Sequence, residues 1–258
     1  MHLPDAVADH LGGRHLAVVD EGQSGARVLR TDDDGRALYL KVGEGHAAAL
    51  VSEEAVRLRW LAGRAPSPRI VASGEEHGAA WLVTEALPGV PLGAWVKRDR
   101  RRAVKAAEAM ARVLRGLHAL PVKECPFDSS LAAWLPIARD LVAKDLVDTD
   151  DFDDVHAGWS AGQVLAKVEA LAHHAQGRVV VHGDFSLGNL IMDEAGRISG
   201  CIDLGRLVVG DPYRDIFIGW RDLGGFGEEP QRAFLAALRL DHLDDARRDL
   251  HQALDELF

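Results

Sequence analysis

Five side chains, Lys41, Glu54, Asp184, Asn189 and Asp203, stand in an order suited to phosphoryl transfer. A transferring phosphoryl group spreads negative charge over its oxygens, so a fixed ammonium and divalent ions must screen it, and the attacking hydroxyl needs an acceptor for its proton. Lys41 lies near the end of the strand-like run Ala37 to Val42 and can supply the ammonium. Asp184 follows the apolar β-branched run Val179-Val180-Val181 and is the candidate base. Asn189, five residues later, and Asp203 offer the hard oxygen donors that Mg²⁺ takes. A lysine so placed needs a carboxylate to hold it. Counted at about 100° per residue from Val51, Glu54 falls near 300°, between Leu61 and Leu58, whereas Glu53 falls near 200° on the polar side. Glu54 is the expected partner.

Elements must position these groups. The first part reads as an antiparallel meander with strands over 16–19, 26–30 and 37–42, then a helix carrying Val51, Ala55, Leu58 and Ala62 on one face, then strands over 69–72 and 80–85. Gly63 and the Pro66/Pro68 pair end that helix. Pro88-Gly89-Val90-Pro91 breaks the pattern, so the spacing predicts an N-terminal lobe over 1–87 and a C-terminal lobe over 88–258. In the latter, Val104, Ala107, Ala111, Leu114 and His118 mark one helix. The stretch 132–174 reads as further helices and includes six aspartates within residues 145–154. A hairpin is expected where 190–192 and 198–202 flank a turn at 193–196, and 211–258 reads as helical. The class this predicts is α+β.

With 258 residues, 47% hydrophobic and 27% charged, the chain can bury a sizeable core. A net charge of −10 repels nucleic acid and anionic lipid and favours a polycationic partner. Cys125 and Cys201 are too few for a disulfide framework or a thiolate metal site. No apolar run approaches the ~18 residues of a membrane span, and the start lacks the basic-then-apolar order of a signal peptide, so a cytoplasmic protein is expected.

The motifs resemble those of the aminoglycoside 3′-phosphotransferase family, antibiotic kinases with a protein-kinase-like two-lobe fold. The similarity spans nearly the whole chain. It rests on Glu21-Gly22-Gln23-Ser24, Leu38-Tyr39-Leu40-Lys41, Val181-His182-Gly183-Asp184 with Asn189, Ile202 to Leu207, Asp215-Ile216, Arg221-Asp222 and the ending Leu254 to Phe258. The resemblance implies Mg²⁺-dependent transfer from ATP to a hydroxyl, the 3′-hydroxyl, of an aminoglycoside, conferring resistance. It implies that Lys41, Glu54 and Asp184 are catalytic, that Asn189 and Asp203 hold metal, and that the 1–87 lobe binds nucleotide. Ser24 would help cover the phosphates, Tyr39 would stack on adenine, and Thr84 with Ala86 would offer hinge backbone. Drug contacts would come from Asp151, Asp154, Asp184, Arg206, Arg221, Asp222, Asp255, Glu256 and the Phe258 carboxylate. His182 and Asp215 would support the catalytic loop.

Two rival readings make different demands. A kinase of the same fold acting on choline, homoserine or a sugar calls for a less acidic pocket than six aspartates in ten residues provide. A non-catalytic nucleotide-binding module would ordinarily have lost Lys41, Asp184 or a metal ligand, and all are present.

Overall fold

The strand-like runs of the first ninety residues pair into an antiparallel sheet in the computed structural model, which describes residues 7, 15–21, 25–31, 37–128 and 131–258. The chain forms two compact units, one comprising 1–92 and 188–206, the other 93–187 and 207–258. In the first unit, β1 (Ala17–Glu21), β2 (Arg27–Thr31), β3 (Leu38–Glu44), β4 (Ile70–Glu76) and β5 (Ala79–Glu85) form a sheet in the order β1-β2-β3-β5-β4. Period-two alternation sends Leu38, Leu40 and Val42 of β3 into a core with Leu29, Trp81 and Val83. Helix α1 (His46–Leu61) packs on this sheet through Ala47, Val51, Ala55, Leu58 and Leu61, and the same face buries Glu54.

A second, three-stranded sheet of β6 (Val90–Pro91), β8 (Leu190–Met192) and β9 (Ile198–Cys201) completes the unit. Between these elements comes β7 (Val179–Val181), which belongs to the second unit. Strand β6 was read from the sequence only as a break. Two residues cannot display a period, and Gly89 beside them has φ 126°, with the place of its missing Cβ only 2.0 Å from the Met192 carbonyl oxygen. Only glycine lets the chain pass there.

The second unit contains α2 (Leu92–Arg98, from Gly93 on), α3 (Ala103–His118), α4 (Leu131–Ala143), α5 (Ala161–Leu171), α6 (Tyr213–Gly224), α7 (Glu228–Leu238) and α8 (Asp245–Asp255), with β7 paired antiparallel to β10 (Val208–Gly210). Ser160 and Gln163 close a reciprocal cap at the start of α5. Helices α5 and α8 bury Val164, Val168, Leu250, Ala253 and Leu254 against Ala138, and Leu257 joins them. The acidic stretch, expected within a helical region, instead leaves the helix at Asp145 (φ 55°) and runs through a short 3₁₀ turn, Thr149–Asp151. Closely spaced aspartates repel along a helix and bond to nearby backbone instead, as Asp148 does with the Asp150 N–H. The α+β class with an N-terminal antiparallel sheet and a mainly helical remainder is as expected. Among the described residues no helix is long and apolar enough to cross a membrane.

Candidate active site

The candidate groups fall into two sets, one in each unit. In the first unit, Lys41 stands in the middle of β3, and its Nζ lies 2.7 Å from Glu54 Oε2 on α1 and 2.8 Å from Asp203 Oδ1. Glu54 is 6% exposed, and its Oε1 accepts the Leu204 N–H at 3.2 Å. The neighbouring Glu53 points outward to Arg57. Burial by itself would lower the Lys41 pKa, but the charges and hydrogen bonds of Glu54 and Asp203 outweigh it and hold the ammonium protonated far above neutrality. Asp203 takes a left-handed conformation, φ 58°, which turns the chain so that the next N–H meets Glu54. Its side chain remains 53% exposed. Asn189 precedes β8 and its carbonyl accepts the Ile202 N–H at 2.9 Å, so pairing beyond the hairpin sets Asn189 beside the strand that leads into Asp203.

Tyr39 and Thr84 are cross-strand partners on β3 and β5. Ala86 donates its N–H to the Ala37 carbonyl at 3.0 Å. Arg206 is exposed at the end of the short turn Leu204–Arg206. Ser24 lies outside the described residues.

In the second unit, Asp184 is half-buried, its N–H donating to His182 Nδ1 at 3.2 Å and its carbonyl accepting the Ser186 N–H at 2.9 Å. The loop is fixed from below by Asp215. This fully buried carboxylate accepts the N–H groups of His182 at 2.7 Å and Gly183 at 2.9 Å, with His118 Nε2 at 3.4 Å. Burial pushes the Asp215 carboxyl up, yet the hydrogen bond and charge of His118, with His182, hold it below the ordinary carboxylate range. Arg214 donates from Nε to the Gly183 carbonyl at 2.8 Å, and Gly183 itself needs φ 87°. Asp222 Oδ2 accepts the Leu187 N–H at 2.9 Å, and burial raises its pKa above the ordinary value.

The expected drug-binding acids are placed differently from one another. Asp151 and Asp154 are exposed on the acidic loop. Asp255 pairs with Arg221 at 3.0 Å. Glu256 is turned toward the same acidic loop, accepting the Asp153 N–H at 3.1 Å and meeting His156 Nδ1 at 3.0 Å. Phe258 sets its ring edge-on to Trp134, centroids 4.4 Å apart. The residues that the sequence reading passed over are His118, Arg214, His156 and Lys167. Arg214 braces Gly183 of the catalytic loop and His118 braces Asp215 on α6, and His118 shows in the sequence only as one position of a helix face.

Residues 15–252 match the model of a family described as the phosphotransferase enzyme family. An aminoglycoside 3′-phosphotransferase of Escherichia coli is 38% identical over 239 residues, 92% of this chain and 88% of that protein. The crystal structure of an aminoglycoside-3′-phosphotransferase of type VIII superposes with a TM-score of 0.86 at 34% identity, covering 98% of this chain and 97% of that one. The aminoglycoside phosphotransferase APH(3″)-Id from Streptomyces rimosus, in complex with ADP and streptomycin, superposes with a TM-score of 0.84 at 28% identity, covering 97% and 95%.

Proposed function

The chain belongs to the phosphotransferase enzyme family, and from that premise we propose that it transfers the γ-phosphoryl group of ATP to the 3′-hydroxyl of an aminoglycoside antibiotic. The observation that carries the reading is the Lys41–Glu54–Asp203 cluster, a charged lysine clamped between two carboxylates. Lys41 offers its ammonium to the phosphate oxygens, and Glu54 fixes its direction. The donor chemistry fits a hard divalent ion: the exposed Asp203 carboxylate and the Asn189 side-chain carbonyl are the oxygen ligands that would hold Mg²⁺. A divalent ion held by these two groups would supply charge neutralisation at the phosphate oxygens. Asp184 orients the attacking hydroxyl and accepts its proton as the O–P bond forms and the bond to the ADP oxygen breaks. Tyr39 stacks on adenine, and adenine competes with the Ala37 carbonyl for the Ala86 N–H.

Selection of the acceptor rests on charge. Asp151, Asp154, Asp222 and Asp255, with Glu256 and the Phe258 carboxylate, supply anions for the drug's ammonium groups, Arg221 orients Asp255 through their ion pair, and Arg206 is a further substrate contact. Phosphorylation adds negative charge to a cationic drug that binds RNA through those ammoniums, which accounts for resistance. The test is ADP release with kanamycin B, with its 3′-deoxy analogue tobramycin, and with streptomycin. Turnover of kanamycin B and none of tobramycin is expected. No turnover of any 3′-hydroxyl drug overturns the reading, and equal turnover of the first two moves the transfer to another hydroxyl.

A further inference from the structure

The Glu256 carboxylate is held from one side by a buried imidazole. Besides the Asp153 N–H, which sits 3.1 Å from Oε1 and 3.3 Å from Oε2, Oε1 meets Nδ1 of His156 at 3.0 Å. His156 is fully buried, and its Nε2 lies 3.0 Å from the Nζ of Lys167 on α5. An ammonium has only donors, so Nε2 must accept, the ring proton sits on Nδ1, and Nδ1–H donates to Glu256. The Lys167 ammonium also lies over the Trp159 ring, 5.7 Å from its centroid, and that ring meets the imidazole edge-on at 5.2 Å. The loop side of the arrangement is equally tied. Asp153 Oδ1 accepts the N–H groups of Val155 at 3.0 Å and His156 at 3.2 Å, and its Oδ2 accepts the Gln252 amide of α8.

Asp153, His156 and Glu256 bring three potential metal ligands within 4.8 Å of one another, but the chemistry opposes an ion there. Nε2 is occupied by an ammonium, and Nδ1 carries the proton given to Glu256. A divalent cation would have to displace that proton and sit close to the Lys167 charge. The arrangement is a clasp.

We propose that His156 is a positioning residue for the polycationic acceptor, joining the acidic loop to the chain end so that their carboxylates form one array of fixed spacing. The inference rests on the aminoglycoside reading above. Asp148, Asp150, Asp151 and Asp154 on the loop carry the same sign as Asp255 and Glu256 on the tail, and like charges not held together move apart. The clasp opposes that repulsion before substrate arrives, so the drug's ammoniums meet a pre-ordered set and the ordering cost is not charged against binding. Lys167 contributes by polarising the imidazole through its contact with Nε2.

The test compares His156→Leu, which fills the space without a hydrogen bond, with His156→Asn, whose side-chain amide can replace Nδ1–H toward Glu256 but does not reach Lys167. Steady-state KM for kanamycin B and for ATP, kcat, and the thermal midpoint are measured for both variants and the wild type. The Leu variant should raise the drug KM about tenfold, with kcat and the ATP KM within about twofold, and the Asn variant should recover most of the loss. A merely structural role would lower the thermal midpoint of both variants and shift both KM values alike. An unchanged drug KM in the Leu variant, or no recovery with Asn, overturns the proposal while wild-type turnover leaves the aminoglycoside reading standing. A wild type that turns over no aminoglycoside overturns both.

Discussion

Replacing Asp215 with asparagine tests whether the catalytic loop is held by one buried charge. The carboxylate accepts two backbone N–H groups, from His182 at 2.7 Å and Gly183 at 2.9 Å, in a site with no exposure at all. Asparagine keeps the shape but turns an NH₂ toward one of those donors. A buried N–H left without an acceptor costs about 1–3 kcal/mol, and the remaining bond loses charge assistance worth about 1 kcal/mol. The expected loss is about 2–4 kcal/mol, within the ~5–15 kcal/mol of a typical domain, so the variant should fold. Urea unfolding measures this loss. The same change releases Gly183, directly before Asp184, and a displacement of about 1 Å in a catalytic group costs about a hundredfold in rate. Acid stability gives a further check. Because the folded-state pKa of Asp215 is depressed, its contribution is full above the ordinary carboxylate range and is lost as pH falls through the lower folded value. The asparagine variant should therefore show a shallower loss of stability on acidification than the wild type. A stability change under about 1 kcal/mol, or an unchanged kcat in a clearly destabilised variant, would refute the reasoning.

The remaining expectations concern separate groups. Asp184→Asn should lower kcat by orders of magnitude with Mg·ATP affinity nearly unchanged, and calorimetry with single-turnover kinetics would reveal a retained rate that places the base elsewhere. Glu54→Gln should reduce kcat/KM for ATP at least about tenfold, whereas Glu53→Gln, on the exposed face with Arg57, should not; similar effects of the two would break the Lys41 assignment. Deleting Leu257 and Phe258 should raise the drug KM about tenfold and also lower Tm, since a buried leucine contributes about 1.5–3 kcal/mol and Leu257 is 1% exposed. A C-terminal extension that keeps Leu257 in place should raise the drug KM alone, and equal KM values in the native and extended enzymes would remove the terminal carboxylate from the site.

Local periodicity carried the parts of this molecule that obey a single period. The inward angle of Glu54 was readable because α1 repeats its apolar positions every turn, and the hairpin around 193–196 because its flanks are apolar and its turn is not. The strand β7 was legible as a β-branched run, whereas β6 and β10 were harder, being two or three residues long and paired with segments distant in sequence. The braces were hidden for another reason. His118 meets a carboxylate 97 residues away, and His156 one 100 residues away, so each histidine looks like an ordinary residue until the fold supplies its partner. The acidic stretch was visible as a charge run, but its departure from helix depended on side-chain bonds to its own backbone.

The division of the chain also governs how it can be born. The first unit is discontinuous: Lys41 and Glu54 are made early, while Asn189 and Asp203 of the same unit follow only after the stretch from Gly93 to Leu187. At about 5–20 residues per second, synthesis of that stretch takes roughly 5–20 s, many times the microseconds to milliseconds in which helices and hairpins form. Through that interval the N-terminal sheet exists on the ribosome without β8 and β9 beside β6, so the nascent unit exposes apolar surface and unpaired backbone. Folding in strict order from the N-terminus is closed to this chain. Rare codons or pauses between 93 and 187 would lengthen the exposure, and expression at low temperature or with a holdase should raise the soluble yield without any change in the finished enzyme.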